Sequence, residues 1–316
     1  MRFAFVLDPL ERLKAAKDTS VAMMRELQGR GHALWAIRRE DLSWHEGVAE
    51  ARATEVRLTA GDTQWFAAGA RARRPLAEFD AVLMRQDPPF DLEYLAATWL
   101  LERAEANGAL VFNRPRAIRD HSEKLAICEF PEFTVPTLVA SAPEPLHAFI
   151  EGHGDTVLKP LEGMGGSSVF RVRAGDPNRN VIVEVLTDHG RRTIMAQRFI
   201  PEVSLGDKRI LLIAGEVVPY ALARIPKPGE TRANLAAGGT GVAQALCARD
   251  REIAEALAPV LASRGLLLVG LDVIGGWLTE INVTSPTCFV EIASQTGFDV
   301  AGMFADALER AVRMKG

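Results

Sequence analysis

The chain has 316 residues, with 37 Lys+Arg against 41 Asp+Glu and a formal net charge of −4 at pH 7. That balance argues against a nucleic-acid binder, which needs a basic surplus facing phosphates. Apolar residues make up 48% and charged ones 25%, enough for a sizeable core and without the polar bias of a disordered chain; at about 150 residues per domain the length suggests two folding units.

The amino terminus opens with an apolar run over 2–7 that stops at Asp8-Pro9, and helical spacing follows from Val21 to Leu27, with Gly29 and Gly31 as stop signals. Strands are expected at 32–38 and 79–86, the latter ending before Pro88-Pro89. A helix over 91–107 carries Leu92, Leu95, Ala96, Trp99 and Leu100 on one side and leads into a strand at 109–113. Alternating strand and helix imply a parallel sheet, so residues 1–120 read as an open α/β domain. Ligands of such sheets gather at the carboxyl ends of the strands, here Asp8, Arg85 and Asn113.

Beyond Pro115 the texture changes. A short helix at 122–130 precedes strands at 156–160, 168–172, 193–200, 208–214 and 216–225, the last two joined as a hairpin through Ala214-Gly215. A helix over 249–263 with Ile253, Leu257, Val260 and Leu261 on one face is closed by Gly265; two more strands and a last helix over 298–314 follow. Residues 121–316 therefore read as a second domain with mixed and antiparallel sheets, and the whole as α/β grading into α+β. Within it, 225–241 is rich in Pro, Gly and Ala.

No stretch approaches the ~18 apolar residues of a membrane span, and the opening run is too short for a secretory signal, so a cytoplasmic location without membrane contact is expected. Cys128, Cys247 and Cys288 lack Cys-x-x-Cys spacing or a neighbouring His and read as reduced thiols.

Three segments carry chemistry. At 157–172 a strand ends in Lys159, a loop holds Gly163, Gly165 and Gly166, and a strand returns. Successive N–H groups of such a loop can converge on phosphate beside the lysine, but a hairpin with a mobile glycine turn fits the same residues. The spacing matches neither a P-loop nor a dinucleotide fingerprint. At 270–286, Glu280 and Asn282 share a strand face and Asp272 lies on the preceding strand, an oxygen donor set suited to a hard cation. A two-residue Gly275-Gly276 loop would oppose Asp272 to Thr279, so the metal reading requires a longer loop or a bulge; a strand with a solvated polar face is the alternative. Third, lysines are scarce, and Lys124 and Lys159 both adjoin apolar runs, while Arg85, Arg209, Arg224 and Arg232 could grip carboxylates or phosphates.

The order of these segments resembles the ATP-grasp fold. More narrowly, residues 17–20, 84–91, 113–125, 159–172, 206–216, 223–241 and 270–287 resemble bacterial glutathione synthetases, and the likeness runs through the whole chain. The resemblance implies ATP-dependent joining of γ-glutamylcysteine to glycine through an acyl phosphate, with Mg²⁺, or Mn²⁺ in its stead, in a cytoplasmic homotetramer. It implies that Lys124 and Lys159 hold the nucleotide phosphates and that the loop with Gly163, Gly165, Gly166 and Ser167 folds over them. By the same likeness Gln197, Phe199 and Ile200 border the adenine and Asp207 the ribose, while Asp272, Glu280 and Asn282 bind the metal. Arg85, Arg209, Arg224, Asn282, Ser285 and Thr287 surround the peptide substrate, with Arg209, Arg224 and Arg232 in catalysis and 225–241 as a lid. Where the family's pattern has a basic residue late in the lid, this chain has Thr240. Another ATP-grasp amino-acid or peptide ligase, or a non-catalytic ATP-binding module, would share the nucleotide half of this pattern.

Overall fold

A computed structural model describes residues 1–315 other than 62, 164, 231, 232, 234, 236 and 237. The first sheet is built on four parallel strands in the order β2-β1-β6-β7, namely β1 (Arg2–Val6), β2 (Ala33–Ile37), β6 (Ala81–Met84) and β7 (Val111–Phe112). The helix α1 (Thr19–Gly29) begins where the Asp18 side chain accepts the Val21 N–H at 2.9 Å, and α2 (Leu92–Ala106) begins where Asp91 accepts the Tyr94 N–H at 2.7 Å, both ordinary acidic N-caps.

The parallel expectation holds for those four strands and stops there. Residues that carry no clear periodicity form β3 (Leu42–His45), β4 (Val48–Leu58) and β5 (Phe66–Pro75), an antiparallel extension attached through β4 to β2. Nearly every side chain of β5 is exposed, so its Ala-Arg composition shows no apolar face. The expected inner face of α2 is also wrong. The helix buries Tyr94, Ala97, Leu101 and Ala104 and leaves Leu92 78% and Trp99 53% exposed. It is apolar around most of its circumference, so spacing alone does not select a side.

Asn113, expected at a ligand-binding strand end, is buried and joins the sheets instead. Its amide donates to the carbonyls of Leu268 (2.8 Å) and Val283 (2.7 Å), and its oxygen accepts the Leu268 N–H at 3.0 Å. After α3 (Pro115–Asp120), the helix expected at 122–130 is only a 3₁₀ turn, Leu125–Glu129.

A four-stranded antiparallel sheet follows in the order β10-β9-β11-β8: β8 (Thr137–Ala140), β9 (Asp155–Pro160), β10 (Phe170–Arg173) and β11 (Ile194–Arg198). The helices α4 (Pro143–His153) and α5 (Arg179–Thr187), which the sequence reading did not anticipate, cover it by setting Leu146, Ile150, Val183 and Leu186 on Leu158, Val172 and Ile194. The third sheet is antiparallel in the order β14-β13-β12-β15-β16, from β12 (Asp207–Ile213), β13 (Glu216–Ile225), β14 (Thr240–Ala245), β15 (Leu268–Ile274) and β16 (Trp277–Asn282). The expected hairpin at Ala214-Gly215 closes β12 on β13, with both residues at positive φ (51° and 83°) as a tight two-residue turn demands.

The helix α6 (Ala248–Ser263) packs Ile253, Leu257 and Leu261 on Ile210, Leu271, Val273 and Ile281 of that sheet. The single last helix expected is two: α7 (Phe289–Thr296) ends at Gly297, and α8 (Val300–Arg313) starts from an Asp299 cap. Phe289, Phe304 and Leu308 of this pair share one apolar cluster with Phe3, Phe5, Met23 and Leu27, so the carboxyl terminus returns to the first sheet. No described helix is long and apolar enough to cross a membrane.

Candidate functional site: a charged cleft between two antiparallel sheets

The four- and five-stranded sheets face each other across a cleft of about 140 Å³. At its inner end β9 delivers Lys159, whose Nζ donates to the Thr279 carbonyl at 3.2 Å and lies 3.7 Å from Glu280 Oε1. Lys124, from the segment before the 3₁₀ turn, approaches the same oxygen at 3.9 Å and donates to the Gly163 carbonyl at 2.9 Å. Two buried ammonium groups thus converge on one carboxylate. Burial pushes the Lys159 ammonium below its ordinary value; Glu280 opposes that shift and Lys124 adds to it.

The β15–β16 hairpin explains how Glu280 reaches this point. Gly275 and Gly276, at φ 57° and 80°, form a two-residue loop, so Ile274 opposes Trp277 and Val273 opposes Leu278. The ladder then slips by one residue and Asp272 opposes Glu280, with Thr279 as the extra residue. This is the bulge that the metal reading requires. Thr279 fastens it by donating its hydroxyl to the Asp272 carbonyl at 3.1 Å and by offering its own carbonyl to Lys159.

Asp272 is only 2% exposed and gathers two arginines. Arg209 grips it with Nε at 2.5 Å and Nη2 at 3.1 Å, and Arg224 Nη2 lies 2.8 Å away and also holds Asp207 at 2.6 Å. The two guanidiniums outweigh burial and hold the Asp272 carboxyl well below the usual carboxylate range. Asp207, buried and sharing Arg224 with an already ionised neighbour, is pushed up to about 6. Its Oδ1 is buried with no hydrogen-bond partner among the described residues, an open acceptor on the cleft wall.

Above the lysines, the glycine loop runs with Gly163, Gly165 and Gly166 at φ 94°, 67° and 76°, a left-handed path that other residues adopt only with strain. All ten residues assigned from sequence to the nucleotide line this cleft: Lys124, Lys159, Gly163, Gly165, Gly166, Ser167, Gln197, Phe199, Ile200 and Asp207. The remaining assigned residues are spread further. Asn282 sits two residues beyond Glu280 on β16 and donates its amide to the Gly270 carbonyl at 3.3 Å. Arg85 is buried beside Ser20 and Pro286, Ser285 donates to Asp87 at 2.5 Å, and the Thr287 hydroxyl meets the Cys288 thiol at 3.7 Å. Arg232 lies outside the described residues. Among those described, no three His, Cys, Asp or Glu side chains group as a metal site, so the oxygen donors here are the Asp272–Glu280 pair with the Asn282 amide.

Two family models match the chain: the prokaryotic glutathione synthetase N-terminal domain over residues 1–119 and the prokaryotic glutathione synthetase ATP-grasp domain over 123–297. A glutathione synthetase from Nitrosomonas europaea is 59% identical over 318 aligned positions, covering 100% of this chain and 99% of its own. Another from Ralstonia nicotianae is 58% identical, covering 98% and 96%. The chain belongs to the prokaryotic glutathione synthetases. As a member of that family it is an ATP-dependent ligase of glutathione synthesis. Solved structures share the fold at lower identity: D-cycloserine synthetase DcsG at a TM-score of 0.68 and 16% identity, covering 99% of this chain and all of its own, and the ATP-grasp ligase PsnB at 0.62 and 20%, covering 98% of each.

Several lining residues of this glutathione synthetase cleft escaped the sequence reading. Val157 and Ile274 stand two positions from Lys159 and Asp272 on the same strands, so strand alternation from either charged residue finds them. Arg171 lays its guanidinium 3.6 Å from the Phe199 ring centroid while paired with Asp155, a contact no local pattern announces.

Proposed function

We propose that the chain joins γ-glutamylcysteine to glycine in this cleft, the ten lining residues holding ATP and the Asp272–Arg209–Arg224 cluster meeting the reacting carboxylate. The observation that supports it is the convergence of Lys124 and Lys159 on Glu280, set by a bulge across from an aspartate that carries two arginines. A carboxylate is a poor electrophile, and transfer of the γ-phosphoryl group converts it to an acyl phosphate with a good leaving group. The amine of glycine then attacks the carbonyl carbon and inorganic phosphate departs. Positive charge fixed in advance around the transferring phosphoryl group and the tetrahedral oxyanion lowers both barriers, and buried lysines and arginines supply it here. No protein nucleophile is needed. The orphan Asp207 Oδ1 suits a ribose hydroxyl, and Val157, Phe199, Ile200 and Ile274 offer an apolar slot for adenine.

The donor set of Asp272, Glu280 and Asn282 is all oxygen and fits a hard divalent cation, Mg²⁺ in preference to Mn²⁺. Bound there with ATP, the ion would neutralise phosphate charge. In its absence Arg209 and Arg224 carry that neutralisation for Asp272. We further assign residues 1–120 and 121–316 as the two domains, 225–241 with Arg232 as a lid that keeps water from the acyl phosphate, and a cytoplasmic homotetramer as the working form.

The test is ADP release by the purified chain with Mg²⁺ and ATP, with γ-glutamylcysteine or glycine omitted in turn and the product weighed by mass spectrometry. Glutathione in step with ADP, dependent on both substrates, is the expected result. ADP formed without tripeptide would refute the substrate assignment, and proteolysis within 225–241 should raise that uncoupled fraction if the segment is the lid.

A further inference from the structure

The segment proposed as a lid leaves the third sheet at Ile225 and re-enters it at Thr240, the first residue of β14. β14 is the outermost strand of that sheet, and among the described residues it pairs only with β13. Its residues are half-buried at best, so apolar packing does little to hold it. An edge strand leaves the backbone N–H and C=O groups of its outer side to water or to another chain segment. Here one side chain takes them. Gln295 of α7 accepts the Ala243 N–H on Oε1 at 2.8 Å and donates Nε2 to the Gly241 carbonyl at 3.1 Å. Its planar amide gives β14 the donor and acceptor that the backbone of a neighbouring strand would give. Gln295 is itself exposed, where a glutamine ordinarily turns both atoms to water.

The surroundings of this contact give it a use. Gly241 lies opposite Arg224, which holds Asp272, and a Cβ at Gly241 would come within 3.1 Å of Leu222, so side chains of β13 already fill the space there. Two residues earlier, a Cβ at Gly239 would collide with the carbonyl of Ala233, and Ala233 is 4% exposed and lines the cleft. The backbone position of Gly241 therefore sets, through Gly239, how near Ala233 stands to the cleft. At its other end α7 starts after Cys288, one residue beyond Thr287 of the turn assigned to the dipeptide. Phe289 and Ile292 seat the helix in the same apolar cluster as Leu222. Eight helical residues span about 12 Å and do not stretch, so α7 is a strut between the dipeptide turn and the foot of 225–241.

We propose that Gln295 is the positioning residue of this segment: its amide fixes where 225–241 re-enters the sheet and ties that foot, through α7, to the dipeptide turn. The consequence falls on the coupling of ATP use to ligation and leaves nucleotide affinity alone. With the foot held, Ala233 stays against the cleft and water is kept from the acyl phosphate. With the foot released, water takes the place of glycine's amine at the carbonyl carbon, giving back the carboxylate and inorganic phosphate, and ATP is consumed without a new peptide bond. This role rests on the ligation and the lid proposed above.

The experiment compares the full chain with Gln295→Leu, which keeps the size of the side chain and loses both bonds. Tryptic cleavage within 225–241 is followed with Mg²⁺, the β,γ-methylene analogue of ATP and γ-glutamylcysteine present, and ADP and glutathione are counted separately in turnover. Loss of the two bonds should speed that cleavage at least about fivefold and raise the ADP formed per glutathione above about 1.5, against roughly one in the wild type. Affinity for the ATP analogue should change less than about twofold and the melting temperature by less than about 2 °C, as befits an exposed contact. Ala243→Pro is the second variant. Proline lacks the N–H that Gln295 accepts, and because that N–H faces away from β13 the ladder is kept. It should reproduce the effect, and Gln295→Leu should add less to it than to the wild type. Unchanged cleavage in Gln295→Leu, full additivity with Ala243→Pro, or a lower melting temperature with ADP and glutathione still in step would each overturn the assignment. Cleavage speeded by Gln295→Leu in a protein that makes no tripeptide strikes the reaction and leaves the positioning role standing, whereas coupled ligation with unchanged cleavage strikes the role of Gln295 alone.

Discussion

Replacing Asp272 by Asn tests whether this carboxylate is the anchor of the arginine cluster. The side chain keeps its shape, but one acceptor oxygen becomes an NH₂ pointed at guanidinium donors. Arg224 retains Asp207 at 2.6 Å, while Arg209, 6% exposed, pairs with no other carboxylate among the described residues. Removing one partner of a buried pair costs about 3–5 kcal/mol, because the remaining charge stays desolvated. At about 2 °C per kcal/mol for a chain of this size, the melting temperature should fall by roughly 6–10 °C. The assay is thermal and urea unfolding in metal-free buffer across a pH series. Since the folded Asp272 carboxyl sits below its unfolded value of roughly 3.9, its contribution is complete above that pH and is lost only as pH falls through the folded value. Asp207, raised to about 6 in part by the same Asp272 charge, regains its proton as pH falls and relieves chiefly the wild type, so the gap between wild type and Asp272→Asn should widen from about pH 8 to 5 and close only in stronger acid. A gap below about 1 kcal/mol, the worth of an exposed pair, or one that narrows as pH falls from 8 to 5, would refute the reasoning.

Gly270→Ala would set a Cβ 2.8 Å from Arg209 Cδ and 2.9 Å from Pro286 Cβ. It should lower kcat/KM at least about a hundredfold, the order expected when a catalytic group is misplaced by an ångström, with ATP affinity changed by only a few-fold. Retained ligation would mean that Arg209 need not lie across β15. Glu123 takes the Val283 and Thr284 N–H groups and the Thr284 hydroxyl on one oxygen, at 2.9, 3.0 and 2.8 Å, while its carbonyl accepts the Ile281 N–H. Glu123→Ala should cost about 2–4 kcal/mol by orphaning those donors, and Glu123→Gln, which keeps the oxygen, less than half as much; equal losses in urea unfolding would deny the clamp. Because burial lowers the Lys159 ammonium, calorimetric affinity for ATP should weaken on the alkaline side before the ordinary lysine range, and Lys159→Arg should flatten that limb. A wild-type profile flat to pH 10 would contradict it.

The candidate site was more legible in the sequence than the fold was, and the reason is local. Lys159, the glycines after it and the Asp272–Glu280 pair each sit in a short segment whose chemistry is written in consecutive residues. Strand alternation even carried the argument as far as requiring a bulge, and the slip at Thr279 supplies it. By contrast α4 and α5 lay in stretches without motif signals, β5 shows no apolar face, and α2 offers apolar residues on nearly every side. Periodicity identifies an element only when one face differs from the other.

The sequence by itself determined the four parallel strands of the first 120 residues, the hairpin at Ala214-Gly215, and which residue types could meet a nucleotide. Those follow from backbone preferences and side-chain chemistry that act within a few positions. Only the tertiary structure decided that Asp272 is shared by Arg209 and Arg224, that Asn113 ties two sheets together, and that Arg85 reaches Ser20 and the Pro286 carbonyl. Each of these joins residues tens to hundreds of positions apart. Their pairing is fixed by how three sheets stack and by which buried charges that stacking leaves in want of a partner.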